Sequence, residues 1–150
     1  PAKIVRISHV YGPGTSIYDT RVMGDFIRMA LQKKSIVLQD EGRAIKTFGY
    51  IGDVITMILY VALHGRDIVY NAGGKDSLAI KDLALSIGHY CNVPVKLPKK
   101  KSSLKHIGKD PMIVKVDLKK ILGEMKKFKF TPFKTGLART IEWNKQEFGL

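Results

Sequence analysis

Short runs of β-branched residues alternate with longer stretches of helical period along this chain, and that alternation is the tightest constraint on its fold. Residues 3–10 carry Ile4, Val5, Ile7 and Val10, a run too apolar for a strand wetted on one face. Such a run predicts a strand covered on both sides, as in a parallel α/β sheet. Residues 11–18 contain Gly12-Pro13-Gly14 and predict a loop. Over 21–33, Val22, Phe26, Met29 and Ala30 share one helical face, with Met23 and Ile27 beside them and Asp25, Arg28 and Gln32 outward.

The alternation continues. Residues 35–38 read as a short strand, 40–46 as a polar turn around Gly42, and 47–51 as a second short strand. Gly52-Asp53 predicts the cap of a helix over 54–63, because an Asp side chain accepts from free first-turn amides. That helix is apolar nearly all round, which predicts burial, and His64-Gly65 closes it. Residues 67–71 read as a buried strand before a Gly73-Gly74 turn. Residues 78–90 predict an amphipathic helix with Leu78, Leu83, Ile87 and Tyr90 in the core. A strand over 93–97, a lysine-rich loop over 98–110, a short helix over 117–122 and a last helix over 136–148 complete the order. Leu137, Ile141 and Phe148 align on the last helix. Strands alternating with helices mean an α/β fold.

At 150 residues the chain has the length of one domain, able to bury roughly 70% of its unfolded surface. Its longest nearly apolar run, 54–63, is far short of the roughly 20 residues a membrane span needs. One cysteine, Cys91, forms no internal disulfide and reads as core rather than nucleophile. With no leader pattern at its start, the chain is expected in the cytoplasm and off membranes. Charge is the outlier: 26 Lys and Arg against 13 acids give +13. Twelve lysines against three acids put +9 of this between residues 96 and 129. Attraction to polyanions follows, without saying which.

Familiar catalytic patterns are missing from these residues. There is no Gly-x-Gly-x-x-Gly loop, His9, His64, His89 and His106 lack metal-ligand spacing, and Ser8 and His9 point to opposite strand faces. What stands out is an ordered set. It runs from Arg6-Ile7-Ser8-His9-Val10-Tyr11-Gly12-Pro13 through Asp19-Thr20-Arg21-Val22 and Phe26-Ile27-Arg28-Met29-Ala30-Leu31. Phe48-Gly49-Tyr50-Ile51-Gly52-Asp53-Val54 and Tyr70-Asn71-Ala72-Gly73-Gly74 follow. Asp110-Pro111, the 117–123 segment, Gly136-Leu137 and Thr140-Ile141-Glu142-Trp143 end it. In that order and spacing the whole chain resembles the carboxyl-terminal half of extended short-chain dehydrogenases/reductases, closest to the nucleotide-sugar epimerases, dehydratases and decarboxylases.

The resemblance implies the C-terminal portion of a Rossmann-like fold with its small substrate-binding subdomain. In that family a first half carries the glycine-rich NAD loop and a Tyr-x-x-x-Lys pair. No tyrosine here is followed four residues later by lysine. The chain therefore reads as a fragment over 1–150, not catalytically competent alone, with its N-terminal cofactor-binding half elsewhere. NAD is the expected cofactor of the full-length family, weakly held by these residues. A nucleotide-sugar is the implied substrate.

Site residues carry over position by position. His9 stands where the family's Arg-x-x-Asn-x-Tyr-Gly-Pro motif has its substrate-facing Asn. Arg21 and Val22 match the Arg-Val that opens the substrate helix, where an arginine can reach the junction of cofactor and substrate and the helix start favours phosphate. Lys46 replaces the phosphate-gripping arginine before Phe-x-Tyr, keeping the charge but losing the bidentate fork. Val114 replaces a second arginine. Tyr50 is a further substrate-binding position, although packing is its blander reading, as helix capping is for Asp53. Arg6 reads first as a structural ion pair. Two other functions stay open. One is a basic nucleic-acid or polyanion-binding module, disfavoured because only Phe128 and Phe130 interleave with the lysines. The other is a degenerate structural relative. Strand edges left open predict a homo-oligomer or pairing with the cofactor-binding half.

Overall fold

The computed structural model describes residues 2–98 and 111–149, so the lysine cluster at 99–101, His106 and Asp110 lie outside the described residues. The chain is a mixed α/β fold built of short, mostly parallel pairings. Its first strand is interrupted at Ser8 into β1 (Ile4–Ile7) and β2 (His9–Tyr11). β1 pairs in parallel with β5 (Val69–Ala72), and β2 in parallel with β4 (Ile45–Tyr50). The Ser8 amide still donates to the Ala72 carbonyl at 3.0 Å, so the strand changes partner there. β4 is the hub. Its second half meets β2, while its first half meets β6 (Ser77–Ala79) antiparallel and β8 (Ile113–Val114) parallel. A separate small pairing joins β3 (Ile36–Val37) to β7 (Val95–Lys96).

Two apolar clusters organise the helices. One gathers α1 (Val22–Arg28), α3 (Ile80–Cys91) and α5 (Phe133–Phe148) around fully buried Ile36, Leu83, Ile87 and Ile141. α1 runs on as a π-helical stretch over Met29–Lys33 that ends at Lys34 in left-handed geometry. The wider turn buries both Ala30 and Leu31. The other cluster seats α2 (Ile51–His64) and α4 (Lys119–Glu124) against β5 through Met57, Val61, Tyr70 and Ile121. Tyr70 donates its hydroxyl hydrogen to Glu124 at 2.7 Å, which pins α4 to the strand.

Several expectations need correcting. The first strand is not covered on both faces: Ile4 and Ile7 are 53% and 57% exposed. Arg6 beside them is exposed and makes no ion pair among the described residues. α2 is not wholly buried either. Ile55, Leu59 and Leu63 form an outward i, i+4, i+8 stripe, and no described element covers it. Apolar periodicity reports that a face wants cover; it does not report whether these residues supply the cover. Tyr90 lies on the exposed side of α3. Asp53 is not the cap of α2, which begins two residues earlier with Tyr50 at its N-cap position. β6 and β8 were not legible as strands, because two or three residues give no period to read.

Candidate functional site

The site forms where the β2–α1 loop folds back over α2. Gly12 has φ +151°, and a Cβ there would lie 2.2 Å from the Ile51 side chain, so the chain can pass only as glycine. The loop is then tied by its own hydroxyls. Thr15 Oγ1 donates to the Gly12 carbonyl at 2.9 Å, and Ser16 Oγ accepts from the Tyr18 amide at 3.2 Å. The result is an open cleft of about 620 Å³ lined by Val10, Tyr11, residues 13–16, Tyr18, Asp19, Arg21 and Ile51.

Arg21 is the cation of that cleft. Its Nε donates to both Asp19 carboxylate oxygens at 2.9 and 3.0 Å, and Nη2 donates to Oδ2 at 2.6 Å. The Arg21 amide donates to the same carboxylate at 3.0 Å. A Cβ on Gly24 would sit 2.7 Å from Asp19, so the bare glycine lets Asp19 lie against α1. One edge of the guanidinium fork is thus occupied, and Nη1 on the other has no partner among the described residues; the arginine side chain is 61% exposed. The Arg21 hydrogen bonds hold the Asp19 carboxyl below the usual carboxylate range, against a smaller opposing effect of burial. With the folded value depressed, the pair's contribution is complete above that range and is lost only as pH falls through the lowered value. A carbon-detected NMR titration of the Asp19 carboxyl should show that late midpoint, and Arg21→Gln should move it upward. An unmoved midpoint would remove the pair as its cause.

A second opening, a slot of about 260 Å³, is lined in part by residues 20 and 22. Val22, Phe26, Met29, Leu38 and Ile80 wall it, and Thr20, Asp25, Gln39 and Asp40 supply the polar positions. Residues 19 and 21 thus line the hydroxyl-rich cleft while 20 and 22 line the apolar slot.

The expected site residues divide between places. His9, Arg21 and Val22 meet around a pocket of only about 10 Å³, where the His9 ring packs 5.8 Å from Phe48. Tyr50 lies elsewhere, on a cavity of about 20 Å³ with Tyr11, Asp53 and Phe133. The Tyr11 ring sits 5.8 Å from Tyr50 and 5.7 Å from Phe133. Burial, with help from the Asp53 charge, pushes the Tyr11 phenol well above its ordinary value, so it stays protonated. Lys46 lines neither the cleft nor the slot. It belongs to β4 rather than to a turn, is 8% exposed, and its Nζ donates to the Pro111 carbonyl at 3.0 Å. Val114 is its neighbour across β4–β8. Burial holds the Cys91 thiol up, in keeping with a packing role. Asp19 was overlooked as a site residue, although an Asp two residues before an Arg at a helix start was there to read.

Comparison with known proteins bears on this arrangement. Residues 1–73 match the family model described as NAD dependent epimerase/dehydratase family. UDP-glucuronic acid decarboxylase 3 of Arabidopsis thaliana is 27% identical over 96 residues, 63% of this chain and 28% of that protein. dTDP-L-rhamnose 4-epimerase of Burkholderia thailandensis is 30% identical over 98 residues, 63% of this chain and 27% of its own. Among solved structures, UDP-glucuronic acid 4-epimerase from Bacillus cereus, in complex with UDP-glucuronic acid and NAD, superposes with a TM-score of 0.82. It is 22% identical and covers 98% of this chain and 46% of that one. dTDP-glucose 4,6-dehydratase from Bacillus anthracis, in complex with NAD, gives 0.79 at 21% identity, covering 97% and 45%. The architecture is thus the Rossmann-like epimerase/dehydratase fold, and the chain spans less than half the length of these relatives. The resemblance read from the ordered motifs is borne out.

Proposed function

We propose, from this chain's kinship with the NAD-dependent epimerase/dehydratase family, that it is the part of such an enzyme that holds a nucleotide-sugar. The observation that carries the reading is the pairing of cleft and slot about Arg21. An apolar slot suits a nucleobase, a half-open guanidinium fork suits a diphosphate, and a cleft edged by Thr15, Ser16 and Tyr18 suits a sugar. Lys46, turned to Pro111, has no part in this reading.

NAD does not fit these residues by themselves. The cleft offers one cation, already half engaged by Asp19, and the sequence has no glycine-rich phosphate loop and no Tyr-x-x-x-Lys. We therefore assign hydride transfer to a cofactor-binding half. The open edge of β1 and the apolar stripe of α2, with Ile4, Ile7, Ile55 and Leu59 exposed, supply the surface on which that half would dock. Left alone, the same surface favours self-association.

The test is calorimetric titration of UDP- and dTDP-sugars into the chain, alone and combined with a cofactor-binding half and NAD. Saturable binding is expected, and Arg21→Gln should weaken it about tenfold, or ~1.4 kcal/mol. Lys46→Gln should leave affinity unchanged. Failure of the combined protein to bind any nucleotide-sugar would overturn the proposal.

A further inference from the structure

Residues 115–134 form a strap whose two sides differ completely. Val116, Leu118, Ile121, Met125, Phe128 and Phe130 pack into the apolar cluster beneath α2 and β5. All seven lysines of the strap are exposed, against two acids, which gives +5 by 7 minus 2. Neither acid pairs with a lysine ammonium group among the described residues. Asp117 accepts from the Lys119 amide at 2.8 Å, and Glu124 accepts from the Tyr70 hydroxyl.

Unpaired cations also occur elsewhere on the described surface, at Arg6, Lys33, Lys34, Arg66, Lys75, Lys81, Lys96 and Arg139, but nowhere so densely along the chain as on the strap. Arg21, Arg28, Arg43 and Lys145 each pair with a nearby carboxylate. On the strap only Lys120 does so, reaching Asp67 at 2.6 Å. The other six ammonium groups have no carboxylate partner among the described residues. A field of one sign held together by packing underneath repels itself and attracts an extended polyanion.

We propose that this strap is a docking surface for the phosphodiester backbone of a nucleic acid, gripped by charge and blind to sequence. Two observations fix the manner of binding. Phe128 and Phe130 are turned inward with their rings edge to face at 4.9 Å, so they offer bases no stacking platform. No large apolar side chain between 115 and 134 is exposed, so the strap has no anchor for a bilayer. Lysines alone, as point charges, read phosphate and nothing else. The site is separate from the nucleotide-sugar cleft and does not depend on that reading.

Fluorescence anisotropy with a labelled mixed-sequence DNA duplex, and with an RNA of equal length, tests this. Six neutralised phosphates predict an affinity that falls about a thousandfold between about 50 and about 200 mM salt. Joint replacement by Lys126→Gln, Lys127→Gln and Lys129→Gln should weaken binding about a hundredfold at low salt and flatten the salt slope by nearly three. A control carrying Lys33→Gln, Lys34→Gln and Lys81→Gln removes equal charge elsewhere and should lose far less. Thermal melts of both triple variants establish that each is folded. Equal losses in the two variants, no binding at low salt, or binding only to vesicles of phosphatidylcholine and phosphatidylserine in equal parts would each overturn the proposal.

Discussion

Gly74→Ala is expected to cost this fold about 3 kcal/mol or more, the upper range for a single substitution. A Cβ at position 74 would lie 1.9 Å from the Phe48 carbonyl oxygen, 2.7 Å from its carbon and 3.2 Å from the Gly49 Cα. All three atoms are backbone of β4, so no rotamer change makes room. The approach is mutual, since a Cβ on Gly49 would lie 2.9 Å from the Gly74 nitrogen. Relief requires the 73–74 turn to move off the central strand, taking with it the wall of the Tyr50 cavity that Gly74 lines. Gly123 supplies the contrast. Nothing lies within 4 Å of its missing Cβ, and it sits inside α4. Gly123→Ala should therefore be neutral or stabilising by about 0.5–1 kcal/mol. Urea or guanidinium unfolding of the two variants reads both effects. A Gly74→Ala protein within about 1 kcal/mol of the parent would mean that the close approach does not exist.

The second large effect belongs to Asp53. The residue is 8% exposed, and its carboxylate accepts twice from one residue: the Thr131 hydroxyl at 2.8 Å and the Thr131 amide at 2.9 Å. These bonds join the start of α2 to the segment leading into α5, 78 residues away in sequence. Asp53→Ala should cost about 3 kcal/mol, because two charge-assisted bonds are lost and a partly buried amide is left without its acceptor. Asp53→Asn retains the shape but turns an NH₂ group toward one of two donors, and should cost about 2 kcal/mol. Thr131→Val keeps the amide bond and should lose about half the full effect. A double-mutant cycle between the two positions isolates the coupling. Additive losses would show that the carboxylate acts through other contacts.

These residues also mark the limit of what spacing can reveal. An Asp beside Gly at a helix start reads as a cap, because the local pattern is identical. That its carboxylate faces Thr131 instead follows from where α5 packs, which no window of sequence contains. Lys46 teaches the same lesson. Motif alignment made it a phosphate contact, but β4 begins two residues earlier than the turn residues implied, and strand membership buries the side chain against Pro111. Arg21's place in the cleft is legible because it depends on a local feature, the opening of a helix behind a glycine-containing loop. Its partner Asp19 lies two residues away and was equally local.

The sequence by itself determined the α/β alternation, the resemblance carried by the ordered motifs, most of the helices and the apolar side chains that fill the two cores, since periodicity and motif order are properties of neighbouring residues. Tertiary structure decided which apolar faces found cover, where β4 begins and which charged groups face a partner. Burial and pairing are set by distant segments that meet only in the folded chain, so Leu63 and Ile121, alike as letters, end at 74% and 0% exposure.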